Sequence, residues 1–449
     1  MEPLRPTQHR AQSAADTTRE LIDQSSFCAR HRVRAQDFTR RRRLPFSSVV
    51  TMLLQKTVRS IQLHLNEFFE KLATLGPAVT PAAWCDARLK LAHTAFIELN
   101  QRAILEVVYG PKADATLVRR WKGHRLLAID SSLVRLPNRE ELGEEFGWVK
   151  CGNQAGATGQ YPQARLSVLT DVLNRIALDT VLVPWKQGER DLAIAHIAHL
   201  EPEDVGLLDR GFAAYALWAH FVAQQRLFVC RCPTSSFREV NRLFQQNQAG
   251  ISVVVTLRPS DHQRLKIRQA QLPEVITVRL VTVRLPSGEL EVLATNLLDE
   301  QKYPTAEFAA LYHSRWGIET FYGVLKGRLD LENFSGLSSQ AVRQDVFATV
   351  FLSNLESLLI APAQEQLEHK SPKAKYRQQV NHAVSFHAIK SHLIDLLLGS
   401  EPLETVLPKL QSLFLGNPVA VRPERGVPRK KRSGWRSYNF QRNTRKVVF

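Results

Sequence analysis

The chain has 449 residues, 44% of them hydrophobic and 23% charged. That composition fills about three folded domains and excludes a disordered chain. Lys and Arg number 60 against 43 Asp and Glu, a net charge of +17, which favours a polyanionic partner, either nucleic acid or an anionic membrane. The five cysteines are scattered, which speaks against a disulfide framework and for a reducing cytoplasm. Residues 1–10 hold no secretory apolar core, and no P-loop pattern occurs, which argues against nucleotide chemistry of that kind.

Residues 1–29 are polar and read as a mobile terminus. Four consecutive arginines follow, Arg40, Arg41, Arg42 and Arg43. Four in a row cannot share one helix face, and they suit an arm that lies along phosphates. Apolar spacing over 49–72 (Ile61, Leu65, Phe68, Phe69, Leu72) and 82–108 predicts helices, so 30–118 reads as a small basic helical domain. From about Arg119 the pattern changes. Residues 126–129 make a short apolar strand ending in Asp130. Strands at 164–173 and 176–184 turn at Asn174-Arg175, and a helix covers 190–200. A strand at 205–209 ends in Asp209, followed by a helix over 213–224 and a strand over 226–231. This order over 119–232 implies a mixed α/β sheet flanked by helices.

Residues 233–303 read as all β, with strands at 251–257, 265–268, 274–285 and 290–296. A hairpin turn falls at Pro286-Ser287-Gly288-Glu289, and the segment has the character of a β-strand insertion. Helices return at 305–331, 338–361 and 376–399, so 304–365 rejoins the α/β domain and 366–420 is a C-terminal helical region. The apolar run 346–361 is broken by Ser353, Asn354 and Glu356 and reads as a core helix, not a membrane span. The tail 421–449 carries 10 Lys/Arg, among them Arg429, Lys430, Lys431 and Arg432, against one acid. Trp435, Tyr438 and Phe440 are interleaved, a mixture suited to backbone and base contacts.

Asp130 and Asp209 both end apolar strands, and in open α/β sheets the carboxyl ends of strands face the ligand crevice. Either alone could be a cap; two in one sheet can hold a divalent cation through oxygen ligands. A third acid, Glu319, lies in the helical run 310–326. At ~100° per residue from Tyr312, Arg315 falls near ~300°, Glu319 near ~340° and Lys326 near ~320°, one stripe beside the core face of Leu311, Ile318 and Leu325. Gly317, Gly323 and Gly327 each weaken a helix by about 1 kcal/mol, and close approach of a large ligand is one reason for them. Three carboxylates round one crevice suit a two-metal phosphoryl-transfer site. The ions are two Mg²⁺ (or Mn²⁺), with no nucleotide cofactor. Arg210, Arg315 and Lys326 supply positive charge for phosphates. Other features carry less. His196 and His199 read as surface or partly buried histidines. Glu189 and Asp191 read as acids at a helix start, Cys230 and Cys232 as strand residues, and the Gly-rich 150–159 as a loop.

On these residues the chain resembles the DDE transposases of bacterial insertion sequences, in the group marked by a Tyr-x2-Arg-x3-Glu-x6-Lys signature. Tyr312, Arg315, Glu319 and Lys326 keep every spacing. The segment Ala128-Ile129-Asp130-Ser131-Ser132 is similar to the family's first motif, and Leu208-Asp209-Arg210-Gly211-Phe212 to its second. Phe38-x-Arg40-x-Arg42-x-Leu44-Pro45-Phe46 is similar to the start of many members.

The resemblance implies an RNase H-like catalytic domain interrupted by the β-strand insertion, with 30–118 as a helical DNA-binding domain. It implies Asp130, Asp209 and Glu319 as catalytic metal ligands, and Tyr312, Arg315 and Lys326 at phosphates near the cleavage site. A Trp, either Trp185 or Trp316, would stack on a flipped-out base. The implied reaction is cut-and-paste transposition: a nick, a hairpin closed by the freed 3′-hydroxyl, hairpin hydrolysis and joining to target. Double-stranded DNA is then the partner, a homodimer assembles on it, no membrane is involved, and the protein is cytoplasmic and nucleoid-associated. Two other readings stay open: a catalytically silent DNA-binding regulator, and a metal-dependent nuclease without strand transfer.

Overall fold

The computed structural model describes residues 5–40, 42–56, 60–72, 79–152, 158–285, 287–370, 375–399 and 401–422. The chain divides into two compact units, one of residues 1–118, 134–164 and 323–449, the other of residues 119–133 and 165–322. The α/β region expected over 119–232 is thus shared between them.

The first unit is mainly helical. Its opening corrects the expectation of a mobile terminus: Pro6–Asp23 and Ser25–His31 are helices. Ala11, Ala14, Ala15, Thr18, Leu21 and Ile22 recur at helical spacing and are buried, where the helix packs along the long helix Ser339–Lys370. Small residues let two helices approach closely without making the sequence look apolar, which is why composition misleads here. Thr7 Oγ1 donates to Glu365 at 2.6 Å, and Arg19 donates to the carbonyls of Asp395 and Leu396. The single helix expected over 49–72 is two, Phe46–Gln55 and Ile61–Lys71.

Ser339–Lys370 runs on through Pro362, past the end expected at 361. By length and composition Ser339–His369 could cross a membrane, yet 89% of its most apolar window is buried inside the protein. Its buried polar groups are matched. Asp345 accepts from Arg88 at 3.0 Å and from Ser335. Asn354 donates to Asn100 at 2.7 Å, and Glu356 pairs with His382.

The second unit is built on a sheet. Its strands are β1 (Leu126–Arg135), β3 (Thr158–Asp171), β4 (Ile176–Pro184), β5 (Val205–Leu208), β6 (Leu227–Cys232), β7 (Ser252–Leu257), β8 (Ile276–Arg284) and β9 (Leu290–Thr295). β1 and β3 each run on into the first unit, where the start of β3 pairs antiparallel with β2 (Trp148–Gly152). The order is β3-β1-β5-β6-β9-β8-β7, with β4 also on β3. β1, β5 and β6 are parallel; β6, β9, β8 and β7 are antiparallel in turn. The parallel strands are apolar because both faces are covered: Val205–Leu208 is wholly buried. The helices Glu189–Ile197 and Tyr215–Ala223 contribute Ile197, Trp218 and Phe221 to a core with Leu127, Leu208 and Phe228.

Two expectations for 233–303 are corrected. Residues 265–268 lie in a helix, Asp261–Gln269; Leu265 and Ile267 alternate as in a strand, but only Ile267 is buried, and Leu265 is 65% exposed. A second helix, Arg238–Gln246, makes the segment α and β together. Nor is it separate from the sheet: β9, buried at all six positions, pairs with β6 and continues the sheet.

Arg88 is 3% exposed and Asp345 not at all, so removing one partner leaves an uncompensated buried charge. Asp345→Ala is expected to lower unfolding free energy by about 3–5 kcal/mol, measured by urea denaturation.

Candidate active site

The second unit brings Asp130 and Asp209 together through strand register. β1 and β5 pair with Leu126 opposite Val205 and Ala128 opposite Leu207. Continued by two residues, that register sets Asp130 opposite Asp209, on neighbouring strands about 4.8 Å apart. Each carboxylate is steadied by the backbone just after it. Ser131 N–H donates to Asp130 Oδ1 at 2.8 Å, and Gly211 N–H donates to Asp209 Oδ1 at 2.8 Å. A Cβ at residue 211 would lie 3.1 Å from that same oxygen, so Gly keeps the turn close to the acid. Burial, together with the neighbouring carboxylates Asp209 and Glu189, pushes the Asp130 carboxyl up to about 7 against the opposing pull of Ser131 N–H and Arg315.

Glu319 arrives on a segment that is not one straight helix. Phe308–His313 ends in tight turns, with Arg315 N–H donating to Tyr312 C=O and Ile318 N–H to Arg315 C=O. Trp316–Gly323 then resumes the α-helix, and Val324–Arg328 widens into a π-helix. The uniform stripe expected from Tyr312 to Lys326 therefore does not hold as a single geometry. Its central pair does: Arg315 Nη2 donates to Glu319 Oε1 at 2.9 Å. The Arg315 guanidinium lies 5.6 Å from the Tyr312 ring centre and 5.7 Å from that of Trp316. It is 6% exposed, and its Nε is a buried donor with no hydrogen-bond partner among the described residues. Asp209, Asp130 and Glu319 all lie within its electrostatic reach. Gly317 has a packing reason: a Cβ there would fall 2.8 Å from Val172 Cβ. A Cβ at Gly323 or Gly327 would meet nothing within 4 Å.

Tyr312 is buried, and its hydroxyl donates to Leu208 C=O at 3.3 Å, not the phosphate-facing position the resemblance implies. Trp316 is 42% exposed. Arg210 is exposed beside Asp209. Lys326 belongs to the first unit, 3.7 Å from Glu332. Also in the first unit, exposed Arg40 and Arg42, with Arg43 and Lys90, line a cleft of about 700 Å³. Arg41, the loop residues 153–157, and Arg429, Lys430, Lys431 and Arg432 lie outside the described residues.

Two groupings escaped the sequence. Arg165 bridges Ser131 Oγ (2.8 Å) and Glu189, and Ser131 Oγ donates to Glu189 at 2.7 Å, so a fourth carboxylate stands beside the first acid. His196, 1% exposed, links Asp179 at 2.8 Å to Ser167 at 2.9 Å; it is a core histidine. Partners so distant in sequence leave no local signal.

Among the described residues, no three or more His, Cys, Asp or Glu side chains converge on one metal-sized point. The donor chemistry nonetheless fits a divalent cation. Two neighbouring carboxylates, the Asp130 carboxyl raised to about 7 even with Arg315 in reach, offer hard oxygen ligands of the kind that suit Mg²⁺ or Mn²⁺.

A family model described as "Transposase DDE domain" matches residues 121–355. The transposase InsG of insertion sequence element IS4 from Escherichia coli (strain K12) is 24% identical over 400 residues, covering 87% of this chain and 86% of InsG. Among solved structures, the cryo-EM structure of the piggyBac transposase synaptic complex with hairpin DNA is similar at a TM-score of 0.46. It shares 10% identity and covers 93% of this chain and 88% of that one. The domain match spans more than half of the chain, and the chain belongs to the DDE transposases of bacterial insertion sequences, enzymes that cut and join DNA.

Proposed function

We propose that this transposase binds the ends of its insertion element as a homodimer and moves the element by cut-and-paste, through a hairpin intermediate, on an RNase H-like catalytic domain. The observation that carries the reading is the register that sets Asp130 opposite Asp209, with Glu319 tied to the pair through Arg315. Asp130, Asp209 and Glu319 would hold two divalent ions, Mg²⁺ or Mn²⁺. When bound, these supply activation of a water or 3′-hydroxyl and stabilisation of the leaving oxygen.

The chain's own residues do the rest. Arg315 carries a guanidinium already desolvated, with one donor unused, and a phosphate oxygen beside Glu319 would take that donor. An Arg fork can hold two phosphate oxygens at once. Trp316, exposed beside Arg315, offers a stacking face for a displaced base, and Trp185 is the alternative. Arg210 adds charge next to Asp209, and Lys326 is proposed as a phosphate contact on the signature spacing alone. Arg40 to Arg43 and the basic tail around Arg429, Lys430, Lys431 and Arg432 supply electrostatic grip on duplex DNA, element ends and target alike.

Asp130→Ala, Asp209→Ala and Glu319→Ala are each expected to lower cleavage of an end-bearing plasmid by at least about a hundredfold, as losing a metal ligand should cost no less than losing its supporting partner. End binding, read by gel shift, should stay near wild type. The same plasmid assay separates the alternatives: joined product is expected here, none from a silent regulator, and cleavage alone from a nuclease.

Arg315→Ala is expected to slow hairpin formation and strand transfer more than the first nick. The later steps must hold a bent, repositioned end, and positioning carries most of phosphoryl transfer. Arg315→Lys should recover part of the rate, because charge returns without the fork. Time courses that resolve nick, hairpin and joined product check it.

Arg40→Ala with Arg42→Ala should reduce the slope of log K against log salt by about 0.9 for each phosphate that is no longer neutralised, measured by fluorescence anisotropy on an end duplex.

A further inference from the structure

Two tyrosines on the segment that carries Glu319 are buried, and neither hydroxyl faces solvent chemistry. Tyr312 OH donates to the carbonyl of Leu208, the residue before Asp209, at 3.3 Å. Tyr322 stands one helical turn beyond Glu319 and outside the four-residue signature. Its hydroxyl lies 2.9 Å from the carbonyl of Asp130 itself and 3.0 Å from that of Leu166 on β3. A phenol has one proton to donate, so the two carbonyls share it. Burial raises the ionisation of both phenols well above the ordinary range, which keeps them donors at any working pH. Gly317 seats the same helix directly against Val172. The segment therefore touches each acid-bearing strand through one hydroxyl, from Tyr312 on the helix before the tight turns and from Tyr322 on the helix of Glu319.

We propose that Tyr312 and Tyr322 are positioning residues of the transposition reaction, struts that fix the segment carrying Glu319, one just before its helix and one on it, against the strand that leads into Asp209 and the strand bearing Asp130. This rests on the reading of the three acids as one metal-holding set. The carbonyls of Leu208, at the end of β5, and of Asp130, inside β1, are rigid reference points, because the strands that carry them are fixed by pairing. A hydroxyl anchored there converts the strand spacing into a helix position. The two struts differ in strength: hydroxyl-to-carbonyl bonds centre near 2.7–2.8 Å and weaken with length. The Tyr322 hydrogen bonds are the shorter ones, so Tyr322 should matter more than Tyr312.

The test uses Tyr→Phe, which keeps the ring and its packing and removes only the donor. Full-length Tyr322→Phe and Tyr312→Phe are compared with wild type and Asp130→Ala on an end duplex. Four quantities are measured: thermal unfolding, duplex Kd, binding of Mn²⁺ alone by electron paramagnetic resonance, and the single-turnover nick rate across Mn²⁺ concentration. Expected for Tyr322→Phe is a cooperative melt and unchanged Kd, with a Mn²⁺ midpoint raised about tenfold, in the range seen when partners of metal ligands are removed. The nick rate should fall with it and recover partly at high Mn²⁺. Tyr312→Phe should move the same way by less. A wild-type Mn²⁺ midpoint in Tyr322→Phe would overturn the proposal, as would rate loss that tracks a lowered melting temperature alone. Should Tyr322→Phe fail to fold, an unshifted midpoint in Tyr312→Phe overturns it and a shifted one supports it. Asp130→Ala separates the two levels. If it nicks like wild type, the metal-site reading falls and the struts with it; if it is inactive while Tyr322→Phe is normal, only the struts fall.

Discussion

Taking a carboxylate out of water is costly, and a second carboxylate on the neighbouring parallel strand adds to that cost. The Asp130 carboxyl is pushed from 3.8 to about 7, so ionising it costs roughly 4 kcal/mol more than ionising a free carboxyl. An exposed ion pair contributes ~0–1 kcal/mol and could not offset a cost of that size. The site therefore calls for a desolvated positive charge close at hand. Arg315 already lowers that cost: it is buried, flanked by the rings of Tyr312 and Trp316, and in reach of both aspartates, and the Asp130 carboxyl stays raised in its presence. A guanidinium shared with Glu319 cannot neutralise three acids, and under the proposed function the balance would fall to divalent cations of the kind DDE transposases generally use.

The same cost explains why the acids sit where they do. Asp130, inside β1, and Asp209, just past the end of β5, have fixed positions because the residues before each are buried in the sheet. Val205–Leu208 has no exposed residue, and β5 is hydrogen-bonded on both sides, to β1 and to β6. Cys230, level with Leu208 in that register, directs its thiol at the Asp209 carbonyl at 3.5 Å. The acids differ in kind from Glu319, whose segment passes through tight turns before it and a π-helix after it. A helix of that irregularity has no intrinsic register with the sheet, so its position has to come from side-chain contacts.

What was legible in the sequence follows this division. The strands read clearly because apolar runs bounded by turns have one physical meaning, and Ile176–Pro184 fell where expected. The aspartates read because each follows an apolar run, although β1 does not end at Asp130 as expected but runs on to Arg135. Arg315 and Glu319 read because a four-residue spacing survives at the one regular stretch between the irregular turns. The terminal helix Pro6–Asp23 was not legible: its buried face is mostly Ala and Thr, and small residues carry no hydropathy signal. Nor were the roles of Tyr322 and of the Glu189–Arg165–Ser131 group. Their partners are backbone carbonyls or residues tens of positions away, and backbone acceptors have no sequence signature.

The antiparallel extension gives the unit its asymmetry. Because β9 pairs with β6, residues 233–303 form part of the same sheet that holds the acids. The open edge is thereby moved from β6 to β7, four strands from β5, or about 19 Å at ordinary strand spacing. An edge strand frays and pairs with strangers; at β6 it would lie directly beside the strand of Asp209. Burying β6 on both flanks removes that softness from the side of Asp209 and leaves it at β7, where Val253 and Val254 are exposed. A rigid strand pair is what two half-buried carboxylates need to stay together, since any local opening of the sheet would let them move apart and into water.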